Sequence, residues 1–161
     1  MTPLINLSLY ICYCSTNLKT LLSKARLVKL IYLVDWKSAI NNKQQITDIK
    51  WIFNHYGPYV KEIINELDKS SYFVIQKYIN NYGNTAEKIS LKEPIDINKA
   101  NQLLSEKDRK IVDYVLSVTK HMNYTEFLKL IYSTYPILKS NRQDKMDLVL
   151  LAEEYKQNYK R

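Results

Sequence analysis

A chain of 161 residues is long enough for one domain with its own core and needs no covalent staples. Its 24 Lys and Arg against 16 Asp and Glu give a net charge of +8, concentrated in the first sixty residues, which favours an acidic partner over a basic one. Two cysteines and two histidines argue against a disulfide scaffold and a structural zinc cluster, and two glycines with four prolines leave no flexible linker.

The opening stretch, MTPLINLSLYICYC, is apolar but has no basic start and is interrupted by Asn6 and Ser8. It is therefore expected to belong to the fold, as one or two short helices reaching about residue 22, and not to be an export signal or a membrane span. Cys12 and Cys14, two residues apart, fit neither a CxxC redox pair nor a zinc knuckle and are expected to be small packing residues in a reducing, cytoplasmic setting. Neither has the neighbouring base that a nucleophile would need.

Ser23 can cap the next segment, KARLVKLIYLVDWKSAIN, whose apolar residues cover most of the circumference and so predict a nearly buried central helix. Lys29, Tyr32 and Asp35 are three residues apart and drift by only about 60° per step, forming a polar diagonal across it. Asp35 is expected to be a buried acid satisfied by a Lys, Arg or Tyr, with the diagonal as lining of a partner groove as the alternative. One carboxylate with no second acid or His nearby in sequence is poor support for acid–base catalysis.

Residues 49–56, with aromatic and β-branched types, predict a strand. Gly57 and Pro58 then suit a sharp turn into a helix over 58–68, with Pro58 at its first position and Tyr59, Ile63, Ile64 and Leu67 as its stripe. Its N-terminus, beside His55, is an alternative anion site. Trp36, Trp51, Phe53, Tyr56 and Tyr59 are expected to be core, with any exposed Trp or Tyr a natural hot spot for a protein partner. YFVIQKYI and EKISL around Asn-Asn-Tyr-Gly-Asn-Thr predict a hairpin with strands 72–79 and 87–92. Ser105 caps a further helix, Thr125 opens another over 125–133 that Pro136 ends, and a last one runs from about Met146 to Tyr159. The order predicts an α+β domain, mainly helical, with a small antiparallel sheet or hairpin.

The stretches LVKLIYLVDW (27–36), HYGPYVKEIINEL (55–67) and IVDYVLSVTKHMNYTEFLKLIYSTYP (111–136) resemble, in order and spacing, three elements of the Panacea domain family of antitoxin SocA-like, phage-associated proteins. The resemblance covers about residues 18–70 and 106–138 of a single domain spanning 1–161, and residues 1–14 have no clear counterpart. Tyr132 and Ser133 stand where the family has Thr-His, and no Trp follows Pro136.

The resemblance implies a non-enzymatic protein that neutralises a toxin encoded nearby, with some members handing the toxin to a cytosolic protease. Lys29, Tyr32, Asp35, Trp36, Trp51, His55, Tyr56, Gly57, Pro58 and Tyr59 are the candidate partner contacts, and no cofactor or metal is expected. The competing expectation is a DNA-binding regulator of winged-helix type, with Lys61 and Lys69 on the helix and Lys77, Lys88 and Lys92 on the hairpin. Glu62, Glu66 and Asp68 on that helix count against it, because phosphate repels them. The tetrapeptide Lys-Leu-Ile-Tyr at 29–32 and again at 129–132 is a coincidence of composition, not an internal repeat.

Overall fold

The computed structural model describes residues 1–159. At its centre lies α2 (Lys24–Asn42), where apolar side chains on every face leave the helix no stable place but the interior. Ser23 Oγ accepts from the Arg26 N–H at 3.0 Å to start it, and Lys43, at φ 58°, ends it. Leu27, Ile31 and Val34 are fully buried. Around α2 pack α1 (Pro3–Asn17), α5 (Glu106–Thr119), α6 (Tyr124–Ser133) and α8 (Leu148–Tyr159). The front end forms a single helix, capped by Thr2 and led by Pro3, and it stops at Asn17, short of residue 22. Leu22 and Ser23 instead run extended and bond to the hairpin, the Ile89 N–H donating to the Leu22 carbonyl at 2.9 Å.

That hairpin, β3 (Phe73–Ile79) with β4 (Thr85–Leu91), pairs Phe73 with Leu91 and Ile79 with Thr85, close to the expected limits. The strand expected over 49–56 shrinks to β1 (Ile52–Asn54) and closes a second hairpin with β2 (Gly57–Tyr59) through His55 and Tyr56. Gly57 and Pro58 therefore do not begin a helix. Pro58, opposite Phe53, needs no N–H in a two-stranded ladder, and Gly57 supplies the φ of +111° that the return from the turn demands. The helix α3 (Lys61–Lys69) starts three residues later behind an extended Val60, burying Ile63 and Leu67. The other edge of β1 is covered from the far end of the chain, the Met146 N–H donating to the Trp51 carbonyl at 2.8 Å.

Four further elements depart from expectation. A short α4 (Ile97–Leu103), capped by Asp96 and burying only Ala100 and Leu103, fills a stretch whose two apolar contacts are too few to make a period. Asn123, not Thr125, opens α6, through a reciprocal cap with Glu126. Pro136 does not end α6: the chain breaks at the extended Thr134, and Pro136 sits in the first turn of α7 (Tyr135–Lys139), where its missing N–H costs nothing. The last helix begins at Leu148, two residues beyond Met146. The α+β class, mainly helical with small antiparallel sheets, stands.

Because the Gly57 backbone lies where side-chain-bearing residues rarely go, Gly57→Ala is expected to cost about 1–3 kcal/mol. The measurement is the midpoint of urea unfolding against wild type.

Candidate functional site

A groove of about 730 Å³ lies where α2, the β1–β2 turn, α3 and α6 meet. The first turns of α2 bring Lys24, Ala25, Val28 and Lys29, and the hairpin brings Asn54, His55, Tyr56 and Tyr59. Ile64 comes from α3, and α6 contributes Tyr124, Leu128 and Tyr132, one face of that helix at i, i+4 and i+8. Among the described residues, no acidic one lines it. A second hollow of about 590 Å³ adjoins it across Lys24, Ala25 and Tyr124, and is lined further by Tyr78 and Tyr82 of the β3–β4 hairpin and by Glu87.

Lys29 is the group at its floor. The residue is 7% exposed and belongs to none of the ion pairs among the described residues, and burial pulls its pKa below the usual lysine range. A Cβ at Gly57 would stand 3.6 Å from Tyr132 Oη and 3.9 Å from Lys29 Cε, so both side chains converge on that bare backbone. Lys24, in contrast, is engaged by Glu87 at 2.9 Å and Asp68 at 3.8 Å. Tyr56 forms the rim, 78% exposed, with the His55 ring edge-on against it at 4.8 Å.

The other candidates lie inside the protein. Tyr32 is fully buried, its hydroxyl 2.8 Å from Thr134 Oγ1, and it stands edge-on to Trp51 at 5.5 Å. Asp35 is fully buried too, and its partners are not the Lys, Arg or Tyr expected. Its Oδ1 accepts from the N–H groups of Ile46 and Thr47, both at 3.0 Å, and its Oδ2 from Trp51 Nε1 at 2.9 Å, Gln45 Nε2 at 3.3 Å and the Thr47 hydroxyl. Burial raises its pKa to about 6, against the pull of these donors. Asp35 thus fastens the 44–51 loop onto α2 and does not face the groove. Trp36 is buried, edge-on to Tyr155 of α8. Gly57 and Pro58 are buried in β2. Of the polar diagonal, only Lys29 reaches the groove.

Among the alternative nucleic-acid contacts, Lys61 and Lys69 are exposed on α3, Lys77 and Lys92 are exposed on and just after the hairpin, and Lys88 is half-buried opposite Ser23. Acids are interleaved with them: Glu62, Glu66 and Asp68 on α3, and Glu87 directly across from Lys77. The thiols of Cys12 and Cys14 are pushed by burial to about 12 and about 11, which keeps them protonated near neutral pH. Among the described residues, no three His, Cys, Asp or Glu side chains gather to hold a metal, and no helix is long and apolar enough to cross a membrane.

Sequence reasoning missed Lys24, Ala25, Val28, Asn54, Ile64, Tyr124, Leu128 and Tyr132. The four-residue spacing within α2 and within α6 was a visible signal of shared faces, but nothing local says that these faces oppose each other.

The family model described as antitoxin SocA-like, Panacea domain, matches residues 27–136, about two thirds of the chain. That span runs from α2 through α6 and includes most of the groove's lining. No curated protein and no solved structure matches.

Proposed function

The chain belongs to the antitoxin SocA-like, Panacea domain family, and from that premise we propose that it neutralises a protein toxin encoded beside it by binding it, without catalysis. Membership of the family carries the antitoxin role in general. A basic, tyrosine-lined groove with no acid of its own supports recognition of a protein surface, since Tyr supplies large contact area at low entropic cost. Lys29, His55, Tyr56 and Tyr59 are the contacts kept from the candidate set, with Tyr124 and Tyr132 added. Tyr32, Asp35, Trp36, Trp51, Gly57 and Pro58 hold these residues in place.

Neutralisation then follows mass action: a complex of nanomolar affinity keeps free toxin low whenever the antitoxin is in excess. Co-expression tests this. The neighbouring gene's product is expected to arrest growth alone, to be tolerated with this protein, and to co-purify with it. A product that is harmless alone and does not co-purify contradicts the reading. A purified two-component mixture separates occlusion, which silences the toxin there, from hand-over to a protease, which leaves it active.

A further inference from the structure

Lys29 is 7% exposed, lines the groove and belongs to none of the ion pairs among the described residues. A lysine whose stem is this deeply buried normally has a carboxylate beside its ammonium, because partial desolvation of the charge is otherwise uncompensated. Here Lys29 and the neutral phenol of Tyr132 both reach the bare backbone of Gly57, and among the described residues no acid lines the groove into which Lys29 opens. The start of α2, with the positive end of its dipole, borders the same space at Lys24 and Ala25. On the rim, Tyr56 and Tyr124 are exposed. With Lys24 already paired to Glu87 and Asp68, Lys29 is left as the uncompensated positive charge in a groove lined largely by tyrosines and aliphatic side chains, which suits one negative charge flanked by apolar atoms.

We propose that this groove docks an extended segment of the partner protein whose Asp or Glu side chain sits on the Lys29 ammonium, with the flanking residues packed on Tyr56, Tyr124 and Tyr132. The proposal rests on the antitoxin reading above and specifies its chemistry. Lys29 provides the charge, Tyr132 can donate its hydroxyl to the same carboxylate, and Gly57, by lacking a side chain, leaves the lateral approach to both groups open. The rim tyrosines exclude water from the pair once the segment is seated, which strengthens it.

The test measures binding of the full chain to the purified product of the neighbouring gene, by calorimetric titration, with circular dichroism to check that each variant is folded. Lys29→Met, which keeps the length of the side chain but not its charge, is expected to weaken binding by about 30-fold or more, because it strands a buried carboxylate. Tyr56→Ala, at a rim position remote from the core, is expected to cost about tenfold. Each partner Asp and Glu is changed in turn to Asn or Gln. One of these changes is expected to match the loss seen with Lys29→Met and to add nothing further when combined with it.

Wild-type affinity in a folded Lys29→Met protein overturns the proposal while leaving the antitoxin reading in place. Failure of the wild-type chain to bind overturns both. If no acidic side chain of the partner matters and removal of its last residue abolishes binding, the site takes a terminal carboxylate and the side-chain assignment is overturned.

Discussion

Asp35→Ala is expected to lower the unfolding free energy by about 3–5 kcal/mol, measured by urea unfolding followed by tryptophan fluorescence, a large fraction of what a domain this size has. The carboxylate is the shared acceptor of two loop N–H groups, the Thr47 hydroxyl, the Gln45 amide and the Trp51 indole. Removing it strands buried donors together, and the 44–51 loop loses its attachment to α2. Asp35→Asn is expected to be nearly as damaging, because one of its two terminal atoms becomes a donor facing donors.

The same residue gives a pH dependence of known sign. In the unfolded chain an aspartate titrates near pH 3.9, whereas burial places this one at about 6 in the fold. Between those values the folded state binds the proton more tightly, so this group's contribution to stability is fullest below about pH 4, declines as the pH rises to about 6, and is level above. The stability difference between wild type and Asp35→Asn is therefore expected to shrink from pH 4.5 to pH 6.5 and then hold. A difference that grows over that range contradicts the assignment.

Asp35 also shows where sequence reasoning reaches its limit. Its place in an all-round apolar helix made its burial legible, since that depends only on the residues beside it in the chain. Its partners were not, because four of the five donors come from Gln45, Ile46 and Thr47 in a polar stretch without period, and the two backbone N–H groups among them carry no residue signature. The β3–β4 hairpin was legible for the same local reason as α2: the turn residues and the strand residues adjoin. The β1–β2 hairpin was not, because each of its strands is three residues long and one edge is completed by residues 143–146. The groove is the extreme case. The two copies of Lys-Leu-Ile-Tyr are no duplication, yet Lys29 of one and Tyr132 of the other converge on Gly57, a meeting that only tertiary packing brings about.

That packing depends on Phe127, and Phe127→Ala is expected to cost about 3–5 kcal/mol. The ring is fully buried on α6, and the Arg26 guanidinium lies over it at 4.3 Å while its Nη2 donates to the Thr119 carbonyl at 2.8 Å. This stack ties the first turn of α2 and the end of α5 to the middle of α6, the helix that supplies one wall of the groove through Tyr124, Leu128 and Tyr132. Truncation leaves a cavity and removes the face on which Arg26 rests, so desolvation of the guanidinium is no longer offset by the ring. Phe127→Leu keeps most of the volume and is expected to cost about 1–1.5 kcal/mol beyond the lost cation–π contact. If the α6 wall is what the partner meets, Phe127→Ala weakens binding even at a temperature where the variant is fully folded, and Phe127→Leu recovers most of it. Urea unfolding gives the stability difference and calorimetric titration the binding difference. A folded Phe127→Ala protein with wild-type affinity would show that the partner does not depend on the position of α6.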